Sequence, residues 1–375
     1  MPVSYLYIHI PFCLRKCLYC DFLSIPFDQS VEEKYIDTLI KEIELKRHNL
    51  GRLKTIYIGG GTPTVLSING LYRLCQKLKD IPWSEDIEIT IEANPGTIDS
   101  QKIRTLKEFG VNRFSLGIQS FIDRELELLG RIHNSCEGIR AIKLIKDESV
   151  KNLSIDLIYG IPGQSITDWQ YNLSRAIEYS PEHISTYELT PEKETPLYDL
   201  ITEGRFKKPD EDRIIDMYYH TIERLNGAGY IHYEISNFAK DGFQCRHNLN
   251  YWDRGEYIGV GAGAHSFEDE IRRVNLRDVR RYIDTVKKGL SPYEEETVIS
   301  KTEALKEYLF LGLRKREGID AGAIKERFKI DIITASSDLI SNGLLEVKGD
   351  SLRLTSRGIT LSNLIIVRLF ETLGL

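Results

Sequence analysis

The sequence predicts an α/β fold, a parallel sheet wrapped by helices, followed by a small winged-helix-like domain. Three observations predict it. Over the first 190 residues, stretches rich in β-branched and aromatic residues alternate with helical patterns, and such alternation builds parallel sheets. The strand stretches are apolar on both faces, as parallel strands buried on both sides are. The last 75 residues change to three helical patterns and a hairpin.

The candidate strands are 4–10 (SYLYIHI), 55–60 (TIYIGG), 88–94 (EITIEAN), 113–119 (RFSLGIQ), 153–159 (LSIDLIY) and 183–189 (HISTYEL). Helical patterns fall between them at 31–47, 67–79, 100–109, 136–147 and 167–179; in the first, Val31, Tyr35, Leu39 and Ile43 recur every four residues. Six βα units fit a partial α/β barrel and an open doubly wound sheet equally, and periodicity does not separate the two. Residues 191–300 are less regular: a helix over 210–226, an extended run Tyr230–Ser236, and the glycine-rich GVGAGAHSF at 259–267. Helices at 302–316, 320–328 and 332–341 then precede a hairpin turning at Lys348-Gly349-Asp350. The expected organisation is therefore a barrel-like unit over 1–190, a completing segment over 191–300 and a helical, winged-helix-like domain over 301–375.

Charge and composition exclude several functions. The net charge of −6 argues against non-specific nucleic-acid binding, and residues 301–375 carry 12 Lys/Arg against 10 Asp/Glu, no footprint for DNA reading. No run of 18 apolar residues predicts a membrane span, and MPVSYLYIHIPF does not read as a signal peptide, so a cytoplasmic protein is expected. Six cysteines in such a chain are too few for a disulfide scaffold. Three of them cluster, and a tight thiol triplet in a reducing compartment points to metal.

Cys13, Cys17 and Cys20 form a CxxxCxxC directly after the first strand, on the loop at its carboxyl end, where parallel α/β folds place ligands. Three thiolates at this spacing can wrap one cubane and leave its fourth iron open. A structural zinc site would need a fourth ligand, which no nearby Cys or His supplies. Haem attachment would need His after the last cysteine, where Asp21 stands.

CxxxCxxC after a first strand, with an aromatic (Tyr19) before the last cysteine, resembles the radical-SAM superfamily. YIHIPFC…KCLYCDF is similar to one branch of it, the oxygen-independent coproporphyrinogen III oxidases (HemN) and related haem chaperones (HemW), and the resemblance runs essentially the length of the chain. It implies a partial (β/α)6 barrel, a [4Fe–4S] cluster on Cys13, Cys17 and Cys20, and S-adenosylmethionine (SAM) at the open iron. Electron transfer to SAM would then cleave it to methionine and a 5′-deoxyadenosyl radical.

The rest of the cofactor site follows the strand ends. Gly59-Gly60-Gly61-Thr62 after the second strand lets backbone approach a ligand; the resemblance implies that Gly60, Gly61 and Thr62 hold the methionine end of SAM. Glu92, Gln119 and Asp156 stand at or within the next three strands. A charge inside a buried strand is costly unless paired, so Glu92 and Asp156 read alone would be structural ion pairs; in register on successive strands, they favour a ligand site. Arg131, read alone, is an exposed helix-flanking charge, and Tyr7 and Tyr19 are core or loop aromatics. By the resemblance, Tyr7, Tyr19, Glu92, Gln119, Arg131 and Asp156 are SAM contacts.

Two features divide the branches. The resembling oxidases carry a cysteine two residues after the last ligand, where this chain has Phe22, and an N-terminal extension that this chain does not show. Cys245-Arg246-His247-Asn248-Leu249-Asn250-Tyr251-Trp252 contains HNxxYW, which the resemblance associates with the chaperones and which makes His247 a haem contact. Cys245 reads as an accessory ligand or a buried thiol, and His265 as a pocket residue or a turn cap. The expected function is a haem chaperone, not an enzyme, delivering haem to client proteins such as membrane-bound respiratory cytochromes. Cluster and SAM would then support homodimerisation and transfer. The alternative is an oxygen-independent coproporphyrinogen oxidase.

Overall fold

A computed structural model describes residues 2–375. The βα alternation is realised as β1 (Val3–Ile10), α1 (Gln29–Leu45), β2 (Leu50–Gly60), α2 (Ile68–Leu78), β3 (Trp83–Ala93), α3 (Ser100–Glu108), β4 (Arg113–Gln119), α4 (Ser135–Asp147), β5 (Leu153–Tyr159), α5 (Ile166–Glu178) and β6 (His183–Glu188). The helices start where short polar side chains cap them. Asp28 accepts from the amides of Ser30 and Val31 ahead of α1, and Asn134/Glu137 and Ser165/Asp168 form capping boxes on α4 and α5. In α1 the predicted stripe is the buried one, with Tyr35, Leu39 and Ile43 facing the sheet.

Residues 191–300 add α6 (Glu211–Gly227), β7 (Ile231–Glu234), β8 (Asn237–Ala239), α7 (Arg246–Trp252) and β9 (Ile258–Val260), then β10 (His265–Glu268), β11 (Ile271–Asn275), α8 (Val279–Lys287) and β12 (Tyr293–Val298). The main sheet has nine strands in the order β9-β1-β2-β3-β4-β5-β6-β8-β7. The run from β9 to β6 is parallel, and β8 and β7 close one edge antiparallel. Consecutive helices pack beside one another, α1 on α2, α2 on α3, α3 on α4. They therefore share one face, while the other faces a cavity. That arrangement resolves the ambiguity left by periodicity: it is a partial barrel, whose end strands β9 and β7 do not pair with each other among the described residues.

The small antiparallel sheet β10-β11-β12 and the helix α8 were not expected from the sequence. The β10–β11 turn is Asp269-Glu270, both at positive φ (50° and 58°), a conformation usually marked by Asn or Gly, so its residues gave no hairpin signal.

The C-terminal segment forms α9 (Lys301–Gly312), α10 (Ala321–Phe328), β13 (Leu345–Lys348), β14 (Ser351–Leu354) and α11 (Ser362–Leu373). The hairpin β13–β14 turns through Gly349 at φ 58°, as its KGD sequence suggests, and β14 also pairs with Ile319–Asp320. The predicted helix at 332–341 is two short turns, Ile332–Ala335 and Ser337–Ser341. No helix is long and apolar enough to cross a membrane among the described residues.

Candidate cofactor site

The cysteine loop leaves β1 through Pro11 and is pinned at its base. Phe12 and Cys13 pair in parallel with Ile25 and Pro26, and the Phe27 amide donates to the Cys13 carbonyl at 2.9 Å. Its far side is tied down by the Leu18 amide on the Leu129 carbonyl (3.0 Å) and the Leu197 amide on the Leu18 carbonyl (2.9 Å). The loop so held forms one wall of a cavity of ≈ 420 Å³ at the carboxyl ends of the strands, within the size range of small-molecule sites. Cys13, Cys17 and Cys20 all line it, beside Tyr19, Gly60, Gly61, Thr62, Glu92, Gln119, Arg131 and Asp156. Among the described residues no three Cys, His, Asp or Glu converge on a single metal ion. A mononuclear zinc site would require that convergence within about 2.3 Å of one centre, whereas a cubane spreads its thiolates over separate irons.

The wall is tightly hydrogen-bonded. Glu92 takes the Tyr57 hydroxyl on Oε1 (2.8 Å) and the Gly60 amide on Oε2 (3.0 Å). Burial first, then the nearby Asp156, pushes its carboxyl up to about 7 against those two donors. Asp156 receives three hydroxyls, Ser115 on Oδ2 (2.9 Å) and Ser185 and Ser154 on Oδ1 (2.7 and 3.0 Å). The register explains this cradle: Ser185 pairs with Asp156 across β5–β6, and Ser115 with Ser154 across β4–β5, so alternate residues point to the same inner face. These serines, with Tyr57 and Asn94, were missed in the sequence. Only their alternation with Asp156, Gly59 and Glu92 along the strands could have marked them.

Arg131 is not an exposed flanking charge. Its Nη1 lies 3.5 Å from the Cys17 sulfur, and Nη2 donates to the Gly117 carbonyl at 2.8 Å and to Asn94 Oδ1. Burial raises the thiols of Cys13 and Cys20, the latter to about 11; a metal would have to displace those protons. Thr62 bridges the two halves, accepting from Asn94 Nδ2 (2.7 Å) and lying 3.6 Å from the Cys13 sulfur.

Tyr7 is the exception among the expected SAM contacts. It does not line the cavity; its ring packs beside Tyr57 beneath the pocket floor, and its hydroxyl meets His9 Nδ1 at 3.0 Å. His247 is likewise not brought to the cavity. α7 plugs the opposite, closed end of the barrel, where His247 has no exposed surface. Its Nδ1 pairs with Thr55 Oγ1 at 2.6 Å and its Nε2 with the Tyr251 hydroxyl at 2.9 Å. With both nitrogens engaged, the imidazole is not presented to a ligand, and burial, aided by Arg113, drives its pKa down to about 3. Cys245, also fully buried, directs its thiol to Glu88 Oε1 (3.6 Å), and burial pushes it up to about 12. His265 stands exposed on β10, away from the cavity lining.

A thiol-lined cavity at the strand carboxyl ends of a partial α/β barrel defines a radical-SAM protein, and the model of the Radical SAM superfamily matches residues 7–174. The HemN C-terminal domain model matches 299–361. The chain is 36% identical over 365 residues to the heme chaperone HemW of Bacillus subtilis, covering 95% of this chain and 96% of the relative. It is 42% identical over 269 residues to HemW of Escherichia coli, covering 71% and 70%. It therefore belongs to the HemW family. The solved coproporphyrinogen III oxidase HemN of Escherichia coli superposes with a TM-score of 0.84 over 98% of this chain and 90% of that one; at 22% identity this shows a shared fold.

Proposed function

We propose that this protein is a haem chaperone that takes up haem in the cytoplasm and hands it to client haem proteins such as respiratory cytochromes. The observation that carries the reading is the likeness, across nearly the whole of both chains, to relatives that bear the name heme chaperone. Phe22 in place of the oxidases' additional cysteine supports it against decarboxylation of coproporphyrinogen.

The reading includes a [4Fe–4S] cluster on Cys13, Cys17 and Cys20, with SAM beside it. The residues fit these groups. The donors are three soft thiols on one wall of one cavity. Gln119 Oε1 and Arg131 Nε are buried there without a partner, polar atoms that a ligand would satisfy. A Cβ on Gly61 would stand 2.6 Å from the Phe12 carbonyl oxygen, and one on Gly117 2.6 Å from Asn94 Oδ1, so these two cavity-lining positions admit only glycine. When bound, the cluster supplies an electron for reductive cleavage of SAM.

The chain's own residues do the positioning. Gly60, Gly61 and Thr62 offer backbone and hydroxyl groups to the methionine end. Glu92 places a carboxylate where SAM brings positive charge. Arg131 offers cation and N–H to a carboxylate while bracing Cys17. Asp156, fixed by three serines, accepts hydrogen bonds without moving. In this reading cluster and SAM support dimerisation and haem transfer.

The test is a pair of assays on anaerobically reconstituted protein. Haem should bind, with a shifted Soret band, and coproporphyrinogen supplied with SAM and a reductant should remain undecarboxylated. Steady coproporphyrinogen turnover without haem uptake would replace this reading with the oxidase.

A further inference from the structure

The cavity that would hold SAM is polar within and apolar at its lip. Leu14 and Phe22, on the cysteine loop, are 53% and 63% exposed, and Ile132, also exposed, lines the same cavity. All three line that cavity and expose apolar side chains, and apolar surface gathered at one site marks a binding surface. The same loop carries Arg15 and Lys16, neither of which pairs with a carboxylate among the described residues. Arg15 spends one nitrogen on the carbonyls of Gly130 and Arg131 (2.8 and 2.9 Å), which fixes the guanidinium at the rim. Glu192, Asp21 beside Phe22, and Glu188, which is paired with Lys208 at 3.0 Å, line the cavity as well.

We propose that this mouth, rather than the HNxxYW helix, is the seat of the haem. The inference rests on the haem-chaperone reading above. Haem is a flat apolar disc with two propionates on one edge. Leu14, Phe22 and Ile132 offer the disc apolar surface, and Arg15 and Lys16, on the cysteine loop, offer the propionates two cations. His247 cannot serve from its place: it is separated from the mouth by the pocket floor, and both its nitrogens are bonded. Among the described residues no histidine lines the cavity. Haem seated there keeps an axial position free for a ligand from the client, which suits cargo that has to be surrendered.

The test is haem titration of cluster-loaded, SAM-bound protein followed at the Soret band. The cluster must be present, because bare Cys13, Cys17 and Cys20 would themselves ligate haem iron. Phe22→Asp and Lys16→Glu should each weaken haem binding by about tenfold, the scale of one good contact, with iron and SAM content unchanged. His247→Gln should bind haem as the wild type does. Haem dimethyl ester, which has no propionate charge, should bind the wild type and Lys16→Glu equally. Full affinity in Phe22→Asp and Lys16→Glu, with loss in His247→Gln, would overturn the mouth and leave the chaperone reading standing. A wild-type protein that takes up no haem would overturn that reading and the mouth with it. An ester that discriminates Lys16→Glu as strongly as haem does would overturn the pairing of cation with propionate.

Discussion

Glu92 faces two opposed demands. Burial, with Asp156 beyond it, holds its carboxyl near pH 7, while the Tyr57 hydroxyl and the Gly60 amide favour its charge. SAM brings a sulfonium and an ammonium, and a cation placed by Glu92 favours the ionised form. Below about pH 7 SAM must expel a proton to bind, so its affinity should rise between pH 6 and 7.5 and then level off. Glu92→Gln should bind more weakly and lose the slope; an unchanged slope in isothermal titration would place the titrating group elsewhere. The cysteines make a second residue-scale prediction. Reconstituted protein should hold about four irons per chain. Cys13, Cys17 and Cys20 replaced together by Ala should hold none and lose the broad visible absorption. The thiols were legible because spacing along the chain is itself the signal. Arg131 was legible only through the family resemblance, because one arginine in a loop carries no sign of the guanidinium's burial against Cys17.

At the scale of elements, α7 is the piece the sequence read least well. HNLNYW was read for its histidine, whereas in the fold it is a plug whose amide end is held by a strand residue. Glu88, on β3, accepts from the amides of Arg246 (3.0 Å) and His247 (3.1 Å) and from the Cys245 thiol. Arg113, buried nearby, has Nε and Nη1 without partners, and Glu88 is among the groups that favour its charge. Glu88→Ala would leave two buried N–H groups and an uncompensated guanidinium, a cost of about 3–5 kcal/mol by analogy with broken buried pairs. His247→Ala would open a cavity and free Thr55 and Tyr251, costing about 2–4 kcal/mol. Urea midpoints should fall in that order, with iron content per folded chain unchanged. A His247→Ala variant as stable as the wild type would show that the plug does not hold the barrel. The alternation of β1 to β6 with their helices was legible because each element announces its own period. The plug was not, because seven residues with two aromatics and a histidine fit a packed core and a ligand site equally well.

For the whole molecule, the partial barrel followed from six repeated units, but its closure did not. β9 pairs with β1 across some 250 residues of chain, and no local pattern predicts so distant a partner. The polar interior that results makes the fold sensitive to acid. His9, His133 and His232 are held down near a pKa of about 4 and His247 near about 3, all chiefly by burial, and His183 is lowered as well. A histidine whose folded pKa is depressed contributes stability that is present above the unfolded value of about 6.5 and is lost as pH falls towards the folded value. Glu92 and Glu234, both pushed up by burial to about 7, act in the opposite sense: between pH 7 and their ordinary range near 4.5 the folded chain takes up their protons first and gains stability. Near pH 5.5 the four histidines held at about 3 to 4 outweigh the two carboxylates by about two protons, and His183 acts in the same direction as those histidines. At about 1.4 kcal/mol per proton per pH unit, stability should fall by about 3 kcal/mol for each unit of acidification. Denaturant unfolding from pH 7.5 to 5 should show the midpoint dropping most steeply below pH 6.5, well before the exposed carboxylates titrate. A flat profile to pH 5 would mean that these imidazoles reach solvent and that the barrel floor opens.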